Sequence, residues 1–341
     1  MKTVRLGKTD LLVSRVGIGG IPIQRPPLDE AIKVIQNALD LGINFIETSI
    51  VYGDSEERIG GAIRDRRDKV ILSTKSPKPD KAGALQDLVL SLQRLQTDYI
   101  DLWQFHNVSN SEKYEKVFGS DGAMETAKEA LETGKIKHIG MSGHNMDLAL
   151  KAVASGLIEV IQYPFNFATP EAADELIHLA KEYDVGFIAM KPFAGGNIKD
   201  ASLALKYLLQ FDNVVPLSGV EKIEEVEEIV QIVNGSHKLT SKELTKIDKI
   251  RAELGTRYCR QCQYCMPCPQ GVNIWLLLYV RNLYNLWPPE RFFPWIGPVV
   301  ESAKNCIKCS QCEEKCPFHL PIREMMDENI EFYEKVAKEK T

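Results

Sequence analysis

No cysteine occurs before residue 259 of this 341-residue chain, and all eight fall between Cys259 and Cys316. That distribution excludes a disulfide scaffold for the first part of the sequence and marks an internal boundary near residue 254. A basic surplus is also missing, with 42 Lys and Arg against 47 Asp and Glu and a net charge of -5. Without that surplus, nucleic acid is not an expected partner. Long apolar runs are absent too. The most apolar stretch, Trp275 to Trp287, has 13 residues and contains Arg281, Asn282 and Asn285, whereas a membrane span needs about 20. Residues 1–10 lack the apolar core of a secretory signal. A cytoplasmic protein with no membrane association is expected. The composition, 44% hydrophobic and 26% charged, suits a globular chain of about two domains.

The charge divides at the same boundary. Residues 1–254 hold 31 basic and 37 acidic side chains, and residues 255–341 hold 11 and 10. The second part is therefore a near-neutral unit built around thiols. Its cysteines form two runs. Cys259, Cys262, Cys265 and Cys268 are spaced C-x2-C-x2-C-x2-C, and Cys306, Cys309, Cys312 and Cys316 are spaced C-x2-C-x2-C-x3-C. Each run ends in Cys-Pro, and each is followed by a similar heptad, Cys268 to Ile274 and Cys316 to Ile322. Disulfides suit neither the spacing nor the compartment. Zinc knuckles pair across longer gaps. The spacing favours two 4Fe–4S clusters over both.

The second run resembles the bacterial ferredoxin pattern, in which the fourth cysteine reaches the other cluster. The resemblance implies one cluster on Cys259, Cys262, Cys265 and Cys316, and another on Cys306, Cys309, Cys312 and Cys268. The first run is one residue short before Cys268, so that crossover departs from the pattern. The 37 residues between the runs exceed a compact ferredoxin. The segment Trp275 to Trp287 reads as one buried helix ended by Pro288-Pro289, and a charged amphipathic helix covers residues 323–340.

Residues 1–254 alternate β-branched runs with helical patterns. Strands are expected at 15–19, 44–47, 69–74, 99–104, 138–141, 160–162, 186–190 and 214–217. Helices are expected near 28–41, 55–65, 81–95, 122–133, 146–155, 170–184, 200–209 and 222–234. Eight such pairs make an α/β (β/α)8 TIM barrel. Residues 4–13 read as an N-terminal β-hairpin around Gly7 that plugs the base, and a helix near 241–253 leads out. Barrel chemistry sits where strands end. Glu47, Lys75 and His106 lie at the ends of strands two, three and four, with Tyr52 five residues beyond Glu47. A single His beside Trp103 and Phe105 would more often be a core residue. The combination is more specific than any member.

The segment from Glu47 to Gly60, with Tyr52, Lys75 and His106, resembles the aldo-keto reductases over residues 1 to about 235. With the cysteine unit, the whole chain is similar to the subgroup carrying a C-terminal ferredoxin-type domain. The resemblance implies hydride transfer between a nicotinamide and a small-molecule carbonyl or alcohol. Tyr52 is then the general acid, Lys75 lowers its pKa, His106 orients the carbonyl oxygen, and Glu47 fixes Lys75. Glu47 departs from the family's usual Asp by one methylene, and a purely structural Glu47–Lys75 pair is the alternative.

The resemblance also places a cofactor. It puts Ser142 and Gln162 on the nicotinamide amide, with Gly19 and Gly20 after the first strand on the same side. Gly195, Gly196 and Gly219 suit close approach to a pyrophosphate. Met190, followed by Lys191, replaces the usual stacking aromatic. Glu225 stands where the family holds a cation for the 2′-phosphate of NADP. It lies among Glu221, Glu224, Glu227 and Glu228, with Lys222 as the nearby cation. NAD(H) is therefore favoured over NADP(H).

Hydride carries two electrons and a cluster takes one, so coupling them needs an intermediary, normally a flavin. No dedicated flavin motif is present, although the phosphate site after strands seven and eight also suits FMN. Three readings follow. The clusters exchange electrons with a ferredoxin-like partner, or they are structural parts of a hydride-only reductase, or the chain is a non-catalytic electron-transfer module.

Overall fold

A computed structural model describes residues 1–340. The chain divides into two compact units, Met1–Asp248 and the remainder from Lys249. The division falls inside the helix Ser241–Leu254.

In the first unit, β1 (Thr3–Arg5) and β2 (Leu12–Ser14) form an antiparallel hairpin. Eight parallel strands then close a barrel: β3 (Gly17–Gly19), β4 (Phe45–Glu47), β5 (Ile71–Ser76), β6 (Ile100–Phe105), β7 (Ile136–Ser142), β8 (Val160–Pro164), β9 (Gly186–Met190) and β10 (Val214–Gly219). Each pairs with its sequence neighbours, and β10 pairs with β3. Parallel pairing forces crossovers, which the helices between strands supply. The strands are apolar on both faces because helices cover the outside and side chains fill the inside.

The hairpin closes the base, as its sequence suggests. Leu6 and Val13 pack with Phe45, Leu102, Val160, Ile188, Val215 and Leu217 in one apolar cluster. At Gly7 (φ +55°) a Cβ would stand 2.2 Å from the Gly186 nitrogen, so only glycine fits this approach.

Three helices depart from the expectations; the one expected at 170–184 is a 3-10 turn at Glu171–Ala173 followed by a helix at Leu176–Glu182. Ser111–Phe118 lies between β6 and the expected helix, which runs Ala123–Glu132. The helix expected at 55–65 ends at Ile63 and continues as a kinked 3-10 turn.

The second unit is helical. Instead of one helix across 275–287 there are two, Ile274–Leu277 and Val280–Leu286. Pro288-Pro289 ends the second and also begins a third, Pro289–Ser302, with proline in its first turn. Proline is tolerated there because that backbone position lacks an N–H partner in any case. The last helix is Ile322–Lys340. Leu277, Val280, Phe292, Ile296 and Ile322 form the core against which most of the cysteines pack.

Candidate functional site

The C-terminal ends of the barrel strands hold a buried polar layer. Glu47 ends β4, and Lys75 lies near the end of β5. The two side chains are 2% and 1% exposed and form an ion pair. Lys75 Nζ also donates to the Thr48 carbonyl at 2.5 Å. The extra methylene of Glu47 is accommodated, and the expected pairing is made. Gln162 on β8 donates to the same Glu47 Oε1 at 2.8 Å, and its own oxygen accepts from Gln104 Nε2 at 2.9 Å. A buried pair is worth keeping only when its remaining hydrogen-bonding capacity is also met; Gln162 and the Thr48 carbonyl serve the pair itself, while Gln104 Oε1 behind them has no partner.

Tyr52 joins two tight turns, closed by Tyr52 N–H to Ser49 O and Ser55 N–H to Tyr52 O. Gly53, at φ +63°, lies between them. The ring comes to 4.6 Å from Lys75 Nζ. His106 meets it edge-on at 5.6 Å between centroids. Burial, and then the charge of Glu47, push Tyr52 well above its ordinary value. This corrects the expectation that Lys75 makes Tyr52 more acidic. The ammonium is already neutralised by Glu47, and burial outweighs what remains. Tyr52 is therefore a protonated phenol at neutral pH. Lys75 itself is lowered by burial, against the opposing charge of Glu47.

His106 touches solvent at one edge, and its Nδ1 lies 2.9 Å from Ser49 Oγ. Burial, then Lys75 and Lys113, hold it well below the usual histidine range. A second imidazole stands nearby. His144 Nε2 accepts from Lys191 Nζ at 2.9 Å, so its Nδ1 bears the hydrogen facing Asn107 Oδ1 at 3.2 Å. His144 is also held well below the usual range, by burial and then Lys191.

Both rings stay neutral when folded, whereas the unfolded histidines titrate near 6.5. Their contribution to stability is full above that value and is lost as pH falls below it, because only the unfolded chain takes up the protons. The two together predict a slope of about 2.7 kcal/mol per pH unit below pH 6.5. Urea midpoints at pH 7 and pH 5.5 check this. His144→Asn should remove about half of the dependence, and parallel curves for variant and parent would remove His144 as a cause.

The residues expected on the cofactor fall into two groups. Ser142 and Gln162 are committed within the protein: Ser142 Oγ accepts from Asn107 N–H at 3.0 Å, and Gln162 grips Glu47. Gly20 and Gly219 serve packing, since a Cβ would meet Ser55 Oγ at 2.6 Å and Pro22 Cγ at 2.8 Å respectively. Glu225 caps its own helix (Ile223–Asn234), its carboxylate accepting from the Glu221 and Lys222 amides. An anion at a helix N-terminus is stabilised there, so no phosphate role is needed to explain it. Lys222 is not the only cation present, because Arg25 reaches Glu221 at 3.2 Å. Gly19 ends β3. Gly195 and Gly196 follow β9 with φ of +64° and +91°, and nothing lies within 4 Å of a Cβ on Gly196. Met190 ends β9. Lys191 points its ammonium at His144.

In the second unit none of the eight cysteines is in a disulfide, with Cys316 buried and Cys309 exposed. The two runs share a backbone pattern that their spacing hints at. Gln261 and Gln263 (φ +61° and +65°) match Lys308 and Ser310 (φ +57° and +66°). These left-handed residues turn successive amides inward, as in anion-binding nests. The Gln261 N–H donates to Cys259 Sγ at 3.4 Å, and the Tyr264 and Glu313 amides approach Cys262 and Cys312. Cys265 is pushed up to about 12 by burial and then by Cys259, Cys262, Cys312 and Cys316. Cys265, Cys268, Cys306, Cys309 and Cys312 line one cavity. Among the described residues, no three His, Cys, Asp or Glu side chains form a ligand set for a single metal ion.

The comparisons with known proteins agree with the barrel. The sequence profile of the Aldo/keto reductase family matches residues 15–202. Among curated relatives, "Uncharacterized oxidoreductase YqkF" of Bacillus subtilis is 29% identical over 60% of this chain and 68% of its own. "Aldo-keto reductase YhdN" of the same species is 32% identical over 53% of this chain, which spans 59% of that relative's length. The solved holo form of aldo-keto reductase AKR11C1 from Bacillus halodurans aligns over 73% of this chain and 96% of that chain, with a TM-score of 0.64 and 26% identity. An aldo-keto reductase from Klebsiella pneumoniae, solved in complex with NADPH, shares the fold at 21% identity and a TM-score of 0.63, over 73% of this chain and 95% of that one. The profile spans more than half of the sequence and covers seven of the eight barrel strands, so the chain belongs to the aldo/keto reductase family of oxidoreductases.

Proposed function

We propose that this oxidoreductase interconverts a small carbonyl compound and its alcohol with a nicotinamide cofactor in the barrel, and passes electrons through two 4Fe–4S clusters in the cysteine unit. The observation that carries the first half is the Tyr52 ring packed against the Glu47–Lys75 pair and edge-on to His106. A nicotinamide supplies the hydride. Tyr52 gives the proton to the carbonyl oxygen, the Lys75 charge stabilises the phenolate left behind, and His106 borders the position of that oxygen. In the oxidative direction Tyr52 takes the proton back.

The residues fit a nicotinamide nucleotide unevenly. Gly196, next to Gly195, would give the diphosphate an open backbone approach. Ser142 and Gln162 would hold the nicotinamide amide only by sharing bonds they already make. The self-capped Glu225 and the Arg25–Glu221 pair favour NAD(H), because a 2′-phosphate would have to compete with carboxylates for the available cations. The Klebsiella pneumoniae reductase named above was solved with NADPH, so both nucleotides belong in the assay.

The cysteine unit fits iron–sulfur clusters. A tetrahedral zinc usually pairs two short C-x2-C knuckles across a longer gap, whereas three successive x2 spacings closed by Cys-Pro suit a cubane. Inward amides suit a cluster's bridging and ligand sulfurs. Cys316 lies beside Cys262 and Cys265, and Cys268 lines the cavity with Cys306, Cys309 and Cys312. These neighbours support the crossed ligand pairing. Such clusters supply one-electron transfer, the exposed Cys309 offers an edge to a ferredoxin-like partner, and FMN on the Gly195–Gly196 phosphate site would split the hydride pair.

The test is an anaerobically purified sample assayed for iron, sulfide and NADH- or NADPH-dependent reduction of an aldehyde panel. About eight irons per chain and measurable turnover support the proposal. Cys316→Ser should halve the iron. Zinc in place of iron, or no turnover with any aldehyde, would overturn the corresponding half.

A further inference from the structure

Ser49, two residues beyond Glu47, is fully buried, and its hydroxyl stands between two partners. Oγ lies 3.0 Å from the Lys75 carbonyl oxygen and 2.9 Å from His106 Nδ1. A carbonyl oxygen only accepts, and a hydroxyl carries a single hydrogen. That hydrogen therefore goes to the Lys75 carbonyl, and His106 Nδ1–H donates to Oγ. The reverse assignment would set two oxygens face to face with no hydrogen between them, in a buried place where an unmade hydrogen bond is costly.

The backbone of His106 is held as well. Its N–H donates to the Ser76 carbonyl at 2.8 Å, and its own carbonyl accepts from Lys113 Nζ at 2.8 Å. The ring is neutral, because burial, Lys75 and Lys113 all oppose a second proton. A neutral imidazole with its hydrogen on Nδ1 offers a lone pair at Nε2. Among the described residues, the ring makes its side-chain hydrogen bond through Nδ1, which leaves Nε2 for a ligand. A lone pair suits a donor. A carbonyl oxygen is itself an acceptor, so Nε2 would repel it.

We infer that Ser49 is a positioning residue that fixes His106 as its Nδ1–H tautomer, so that Nε2 accepts a hydrogen bond from a hydroxyl on the substrate. The tautomer stands on the hydrogen bonds alone, and its use on a substrate rests on the proposed carbonyl chemistry. In that chemistry the reacting oxygen belongs to Tyr52 and the hydroxyl to His106. The two rings are in contact, 5.6 Å between centroids, so the two oxygens they serve belong on adjacent carbons. The substrate class is thus an α-hydroxy aldehyde or ketone in reduction, and a vicinal diol in oxidation.

Two measurements on the full-length protein test this, and the first needs no turnover. Nitrogen NMR with isotope-labelled histidine, assigned through His106→Gln, reads which ring nitrogen of His106 bears the hydrogen at neutral pH. The expected result is Nδ1 in the parent and in Ser49→Thr, and Nε2 in Ser49→Ala. Hydrogen on Nε2 in the parent would overturn the inference, and so would a tautomer that Ser49→Ala leaves unchanged. The second measurement compares hydroxyacetone with methoxyacetone, whose ether oxygen cannot donate. Turnover of either ketone supports the proposed function. The ratio of their kcat/KM values should fall about tenfold in Ser49→Ala, the worth of one hydrogen bond, because an Nε2–H serves both oxygens alike. The fall should reside in KM for hydroxyacetone, and Ser49→Thr should keep most of the ratio. A ratio unchanged in Ser49→Ala, or a loss shared equally by both ketones, would overturn the assignment of a substrate hydroxyl to His106. No turnover of either would count against the carbonyl chemistry, and the NMR result would still decide the tautomer.

Discussion

Tyr52→Phe lowers kcat/KM for carbonyl reduction by about a thousandfold, within the range of about 10²–10⁴ for loss of a positioned general acid. The fold should survive, because the ring keeps its contacts with Lys75 and His106 and only the hydroxyl leaves. The loss should appear in kcat, with little change in nucleotide affinity, since the hydroxyl acts on the reacting oxygen. The pH profile adds a second check. Burial and Glu47 raise Tyr52, so the phenol remains the proton donor throughout the neutral range. The falling limb of reduction that belongs to Tyr52 should therefore lie above pH 10. A limb near pH 7 that vanishes in Tyr52→Phe would mean that Lys75 does acidify this phenol when substrate is bound. A variant within tenfold of the parent would remove Tyr52 from the chemistry.

The second large effect concerns stability. Glu47→Gln should destabilise the barrel by about 3–5 kcal/mol, the usual cost of leaving half of a buried pair behind. Lys75 is 1% exposed, and Glu47 is the main influence sustaining its charge against burial. The amide preserves shape and some hydrogen bonding but not that charge. Adding Lys75→Met should recover most of the loss, because an apolar replacement removes the stranded ammonium as well. Denaturant unfolding followed in the barrel's own signal measures both variants. A Glu47→Gln cost below 1 kcal/mol would show that the pair is neutralised some other way. The double variant should be stable but inactive, which separates the structural role of the pair from its catalytic one.

The barrel was legible because parallel strands covered on both faces leave continuous β-branched runs, and because glycine and helix signals punctuate them. Glu47, Tyr52, Lys75 and His106 were legible because the mouth of such a barrel gathers strand ends. The second layer was not. Gln104 looks like an ordinary strand residue, and only register across the barrel brings it to Gln162; Gln162 stands out as a cofactor residue, but its bond to Glu47 does not. Lys113 belongs to a short, polar helix, Ser111–Phe118, whose pattern does not stand out from loop. His144 and Lys191 are 47 residues apart and meet only because β7 and β9 flank β8. Glu225 stands out in the sequence as a carboxylate in a phosphate position, but its capping of the Glu221 and Lys222 amides is a local geometry that composition does not reveal. In the cysteine unit, Pro288-Pro289 reads equally well as a stop and as a start, and here it is both.

If a hydride site and an iron–sulfur unit work together in one chain, electrons must pass between them. The anaerobic absorbance spectrum of the purified protein, recorded before and after NADH and then NADPH, reads that transfer. A broad visible cluster band should bleach when one of the nucleotides is added, with flavin bands alongside if FMN splits the electron pair. A nucleotide that binds and supports aldehyde reduction while that band stays unchanged would contradict that coupling and leave the clusters without a part in the barrel's chemistry.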